Sequence, residues 1–219
     1  MKRNQSGFTL IEIAIVLVII GLLLGGVLKG TEMINQAKIK NVIADFNGVQ
    51  AAYYGYQDRF KRIPGDDSGA NARWSTIPAS SSGDADGQIG GSYNSPVASP
   101  TEANFFWLHL RAAGFLPGAL TAPDGYAQPT NAVTGMLGVE TGPGTGGSTG
   151  FGLSGLIICS ANLPAKIAMA VDAQLDDGSA ITGQVRGGLQ TAQNPNTGTV
   201  SAVDYNDNGS NQYLVCKGL

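Results

Sequence analysis

Residues 8–28 read FTLIEIAIVLVIIGLLLGGVL, an almost unbroken apolar run. A helix of that length, rising about 1.5 Å per residue, matches a hydrocarbon core of about 30 Å. The run is too long for the h-region of an ordinary secretory signal, and no small-residue cleavage site comes after it. Lys2 and Arg3 precede it, so the positive-inside rule keeps the N-terminus cytoplasmic and exports the rest of the chain. One residue interrupts the run: Glu12. A lone carboxylate in a bilayer costs about 2.5–3.5 kcal/mol on insertion scales for comparable charges, so it calls for a partner. No Lys or Arg lies between Arg3 and Lys29. Cleavage after Gly7 would create a cation at the helix start, the new amine of Phe8.

The stretch KRNQSGFTLIEIAIVLVIIGLLL resembles the N-terminus of type IV pilins and pseudopilins. That family pattern is a short basic leader ending in Gly, then Phe-Thr-Leu-Ile-Glu, then a long apolar segment. Gly7, Phe8, Thr9, Leu10, Ile11 and Glu12 match it in order. The resemblance implies that a prepilin peptidase cuts between Gly7 and Phe8 and methylates the amine of Phe8. It implies that this amine then meets Glu12 of a neighbouring subunit. The partners implied are copies of the chain and other pilins in a helical filament, the peptidase and an inner-membrane assembly platform. The location implied is a bacterial inner-membrane, single-pass precursor, then a periplasmic or surface filament. Phrases such as RIPGDDSGA, GDADGQIG and LDDGSAITGQVRG are similar to one bacterial group of pilin-like proteins that has no single role to carry over.

Past Lys29 the pattern becomes amphipathic. Ile39, Val42, Phe46, Val49, Tyr53, Tyr56 and Phe60 recur at steps of three and four, one stripe of a helix. One helix is therefore expected from about Phe8 to Arg62, ended by Pro64-Gly65. Core packing explains its aromatic residues better than an electron path does. Gly21-xxx-Gly25 and Gly26-xxx-Gly30 have the spacing that lets helices approach closely. In related filaments such a stretch is often unwound, which makes Gly21 to Gly26 a candidate for local unwinding, although membrane helices are Gly-rich in general.

The exported part is expected to be loop from 64 to 100. A helix over Glu102–Ala113 comes next, with Ser99-Pro100-Thr101-Glu102 as its capping box and Gly114 as its stop. A Gly/Thr/Ser tract occupies 134–155 as a surface loop. It lacks the Lys and the adjoining helix of a phosphate-binding loop. Gly155–Cys159 reads as a buried strand, Leu163–Leu175 as a helix capped by Asn162 and stopped by Gly178. Ile181–Val185 and Gln212–Cys216 read as further strands. The fold class is α+β and pilin-like: a long N-terminal helix, apolar then amphipathic, on a small antiparallel sheet with extra short helices. Its parts are a leader (1–7), a transmembrane or filament-core helix (8–28), the amphipathic half of the same helix (29–62) and an exported globular domain (63–219).

Export places both cysteines, Cys159 and Cys216, in an oxidising space, where a structural disulfide is the expected state. The other readings are two buried thiols or a redox pair, and no CxxC favours the latter. Two acidic loops have spacing suited to calcium: Asp84-Ala-Asp86-Gly87 and, better, Asp204, Asn206 and Asn208 with Gly209 after them. The second resembles the opening of an EF-hand loop, and some pseudopilins bind calcium near the C-terminus. It lacks the acidic twelfth ligand, since Val215 stands there, and an Asp/Asn/Gly turn without metal is the other reading. No other cofactor is implied. His109 is the sole histidine, which leaves no catalytic constellation, so no enzymatic activity is expected. The net charge of −3 and the lack of a basic-aromatic patch argue against nucleic acid as a partner. A pilus subunit and a type II secretion pseudopilin share this N-terminal physics. A ligand-binding filament-tip subunit is a third reading, and Glu12 argues against it, since a subunit at the tip has no upper neighbour whose amine needs pairing. A membrane-anchored exported enzyme is disfavoured by the missing catalytic set.

Overall fold

The computed structural model describes residues 9–143 and 149–219. Gly7, Phe8 and residues 144–148 of the Gly/Thr/Ser tract lie outside the described residues. Two compact units are present, Met1–Ala37 and Lys38–Leu219.

In the first unit the described chain is almost entirely helical. It forms the opening part of α1 (Leu10–Phe60), whose apolar side chains are exposed all round, from Leu10 to Leu28. The helix is long and apolar enough to cross a membrane. In the single chain it runs unbroken through Gly21, Gly25, Gly26 and Gly30. A Cβ at any of the four would meet nothing within 4 Å. No described contact within the chain therefore demands a glycine at these sites.

The second unit is built on the rest of α1. Ile39, Val42, Phe46, Val49, Tyr53 and Tyr56 are buried, the stripe read from the sequence. They meet one face of a four-stranded antiparallel sheet of order β1-β2-β4-β3. The strands are β1 (Leu137–Gly142), β2 (Gly155–Pro164), β3 (Val185–Gln190) and β4 (Gln212–Gly218). Strand alternation sorts the side chains. Ile158, Leu163, Tyr213 and Val215 join the cluster with α1, while Ile157, Cys159, Ala161, Leu214 and Cys216 join a second cluster with Tyr93, Phe151 and Leu153. Burial on both faces is why GLIIC reads as continuous rather than alternating apolar sequence. Helix α3 (Glu102–Ala112) is likewise buried all round, from Ala103 to Leu110. The remaining helices are α2 (Ala70–Arg73) and α4 (Ala165–Leu175).

Four local expectations are corrected. The tract at 134–155 contains β1, whose buried Glu140 and two glycines conceal the strand pattern. Tyr93 N donates to Glu140 at 2.9 Å and Thr197 Oγ1 donates to it at 2.8 Å, which offsets the burial of the carboxylate. Asn162 is not a helix cap. It has φ 60° where the β2–β4 register shifts, and Pro164 precedes α4. The capping box of α3 is Thr101–Asn104, two positions later than expected, because Glu102 is taken up by the preceding loop. Finally, β3 begins at Val185 rather than ending there, through two glycines that pack closely on neighbouring segments.

The segment after α1 is loop by composition but is held by carboxylates. Tyr56 OH and Arg73 both donate to Asp67 Oδ2 at 2.6 Å. The Arg73 guanidinium also lies 4.5 Å from the Phe60 ring centre and 4.9 Å from that of Trp74. Burial pushes the Asp67 carboxyl up, but the bonds from Arg73 and Tyr56 outweigh it and hold it below its ordinary value.

Candidate functional site

The described part of the N-terminal segment begins at Thr9. Its backbone N–H and its Oγ1 both donate to Glu12 Oε2 at 2.8 Å, and Glu12 N–H donates back to Thr9 Oγ1 at 3.3 Å. This is a capping box, which satisfies amide groups that an α-helix start leaves open. Glu12 thus has a partner within its own chain that a search for cations alone misses. The signal is in the sequence: Thr-x-x-Glu ahead of an apolar run. Both bonds from Thr9 engage Oε2, and neither uses Oε1. Gly7 and Phe8, the processing pair, lie outside the described residues.

Cys159 and Cys216 are joined, with an S–S distance of 2.04 Å. They are directly opposed in the β2–β4 register, both fully buried, on the sheet face away from α1. The bond ties the last strand to the strand that leads into α4.

The acidic loops are arranged differently from one another. Asp204 Oδ1 accepts the amides of Ala180 at 3.0 Å and Tyr205 at 2.9 Å. Asn208 Oδ1 accepts the amides of Ser210 and Asn211, at 3.0 and 2.8 Å, an Asx turn. Asn206 contributes its backbone, donating to Tyr213 OH at 2.9 Å and accepting from Asn211 Nδ2 at 2.9 Å. The Asp84 loop has company that sequence spacing does not show. Carboxylate oxygens of Asp66, Asp84 and Glu102 lie within 4.8 Å of one another. Asp66 accepts the amides of Asp86 and Gly87, and Glu102 those of Asp84 and Gly90, at 2.7–3.1 Å. Burial pushes both the Asp66 and Glu102 carboxyls up.

His109 is fully buried between aromatic rings. Gly65 N–H donates to Nδ1 at 2.9 Å, so the proton sits on Nε2, which donates to Ser81 O at 2.6 Å. Burial lowers its pKa to about 4, despite the Ser81 bond. Both ring nitrogens are committed, and neither is left to act on a substrate.

The family model for the prokaryotic N-terminal methylation motif matches residues 2–28. That match takes in the basic leader, Gly7, Phe8, Glu12 and the apolar run, and it supports recognition of the chain as type IV pilin- or pseudopilin-like. The motif and the apolar helix together are consistent with a single-pass inner-membrane anchor. No curated protein matches the chain, and no solved structure does.

Proposed function

We propose that this chain is a structural subunit, major or minor, of a type IV pilus-like filament, processed by a prepilin peptidase and assembled from the inner membrane. The observation that carries the reading is the methylation motif over residues 2–28, with Glu12 as the single charge of the apolar run over residues 8–28. Stacked into a filament, the apolar helices bury against one another the surface that each exposes alone. The carboxylate then supplies the one directional contact, to the amine of a neighbouring Phe8. The motif suits a structural rather than an enzymatic role.

The test is mass spectrometry of sheared filaments together with imaging of a deletion strain. Loss of residues 1–7, a methyl on Phe8, and surface filaments that vanish on deletion are expected. An intact Met1 terminus in assembled material would overturn the reading. Processed subunit without surface filaments, combined with a secretion defect on deletion, would replace the pilus with a type II secretion pseudopilus.

A further inference from the structure

On the second unit a groove of about 270 Å³ runs between α1 and the turn before β1. It is lined by Asn41, Ala44 and Asp45 on the helix and by Thr130, Asn131 and Ala132 opposite. Asp45 is half-buried there, and among the described residues it has no hydrogen bond or ion pair; burial alone pushes its carboxyl up. Asn131 cannot serve it. Its Nδ2 donates to Ser160 Oγ and Ala161 O, and its Oδ1 accepts the amides of Val133 and Gly135. Nor can a neighbour on the helix. The positions three and four residues away are Asn41, Val42, Gly48 and Val49, none of them basic. A half-desolvated carboxylate in a concave surface with no internal cation is a socket for a cation from outside.

A filament of identical copies narrows the choice of cation. If the Phe8 amine of one copy is level with Glu12 of the next, the copies are displaced along the axis by four residues, about 6 Å. The same displacement applies to every residue of two symmetry-related copies. Where α1 runs along the filament axis at this height as well, Asp45 of the copy that offers Glu12 is level with Asn41 of the copy that offers the amine. The lysines nearest that level are Lys40, one residue below, and Lys38, three below, each on a flexible four-carbon stem. Lys29 lies a further nine residues down. Among the described residues, neither Lys38 nor Lys40 takes part in an ion pair. The exposed helix surface beside Asp45 carries Ala37, Asn41, Ala44 and Gly48, small side chains that leave room for a second α1 to approach.

We propose that the Asp45 groove is a docking socket for a second copy of this chain, receiving a lysine ammonium from the Lys38–Lys40 stretch of that copy's α1. The inference rests on the filament reading above and adds a second directional contact to it, well outside the apolar segment. It is tested with the full-length chain in a host lacking the wild type, by quantifying sheared filaments against the membrane pool of disulfide-bonded subunit. Asp45→Lys should lower filament yield by about tenfold or more while the membrane pool persists. Adding Lys40→Glu or Lys38→Glu to Asp45→Lys should restore most of the yield, although each lysine change alone lowers it. Asp45→Asn, which keeps the side-chain volume, is read in parallel; it should also lower yield, and it decides the matter if Asp45→Lys fails to accumulate. Wild-type filament yield from Asp45→Lys or Asp45→Asn, or no recovery with either lysine swap, overturns the socket and leaves the filament reading standing. An absence of filaments from the wild-type chain overturns both.

Discussion

Thr9 and Glu12 hold each other at the first turn of α1, with two 2.8 Å bonds converging on one carboxylate oxygen, Glu12 Oε2. The residue that makes an apolar helix costly to insert is therefore also the residue that starts it. A helix cap needs only an acceptor, whereas pairing with an amine needs a charge.

Those two roles separate by substitution. Glu12→Gln keeps an acceptor for Thr9 but removes the charge, Thr9→Ala removes the hydroxyl half of the cap but keeps the charge, and Glu12→Ala removes the charge together with the carboxylate half of the cap. Loss of the cap is expected to weaken the helix start by about 1 kcal/mol. Stranding a buried partner charge costs about 3–5 kcal/mol, and that loss recurs with every subunit added. Filament yield should fall steeply and similarly in Glu12→Gln and Glu12→Ala, and only modestly in Thr9→Ala, with membrane insertion kept in all three. The readout is fractionation of sheared filaments against membranes. Wild-type yield from Glu12→Gln would show that the carboxylate serves as a cap and not as an ion-pair partner.

The Cys159–Cys216 bond closes a loop with a sequence separation of 57. On the chain-entropy account such a closure is worth about 4 kcal/mol. Replacing both cysteines by serine should lower unfolding free energy by about that amount, less whatever the reduced unfolded chain retains in structure. Denaturant titration of the detergent-purified chain, with and without reductant, measures it. An unchanged midpoint in the double variant would refute the stabilising role.

The parts of the fold that are legible in the sequence share one property: their signal is local. The α1 stripe from Ile39 to Phe60 repeats at helical spacing, and the leader with Glu12 is a contiguous motif. The hidden parts are set by distant contacts. Strand β1 looks like loop because Gly138 must admit the backbone of Tyr93 and because Glu140 is satisfied by groups at 93 and 197. The cluster of Asp66, Asp84 and Glu102 draws on three separate segments, so no spacing rule points to it. Thr9 is the exception, since its capping pattern is local yet is masked when Glu12 is read first as a charge.

Acid stability should reflect two opposed groups. His109 is held down to about 4, against an ordinary value near 6.5. Between these values the unfolded chain binds more protons, so its contribution is full above about pH 6.5 and lost as pH falls through 4. That loss is about 3 kcal/mol from the size of the shift. Asp172 is pushed up to about 6, chiefly by burial, although Tyr205 OH and Gly178 N–H bond to it. Here the folded chain binds more protons, so its contribution is present at low pH and lost as pH rises through 6. The raised carboxyls of Asp66 and Glu102 act in the same sense. Asp172→Asn should therefore lose stability more steeply than wild type between pH 6.5 and 4, and should equal or exceed it at pH 7. Thermal melts across that range decide it; parallel curves would show that Asp172 does not titrate there.

Two glycines should respond to the same substitution with opposite signs. A Cβ at Gly138 on β1 would stand 2.1 Å from the Tyr93 carbonyl oxygen, which is backbone and cannot swing aside. Gly138→Ala must separate β1 from the segment at Tyr93, which disturbs the bond that the Tyr93 carbonyl accepts from Gln128 Nε2 and the Tyr93 N–H bond to buried Glu140. Overpacking of this kind costs about 1–3 kcal/mol, and weakening those bonds adds to it. Gly48 lies on the exposed side of α1 with nothing within 4 Å of a Cβ. Its φ is not in the left-handed region, so alanine fits the helix and reduces the freedom of the unfolded chain. Gly48→Ala should stabilise the domain by up to about 1 kcal/mol. Melting temperatures of the two variants, measured on full-length chain in detergent, should move in opposite directions from wild type. A neutral or stabilising Gly138→Ala would mean that the close approach of β1 to Tyr93 is not part of the folded domain.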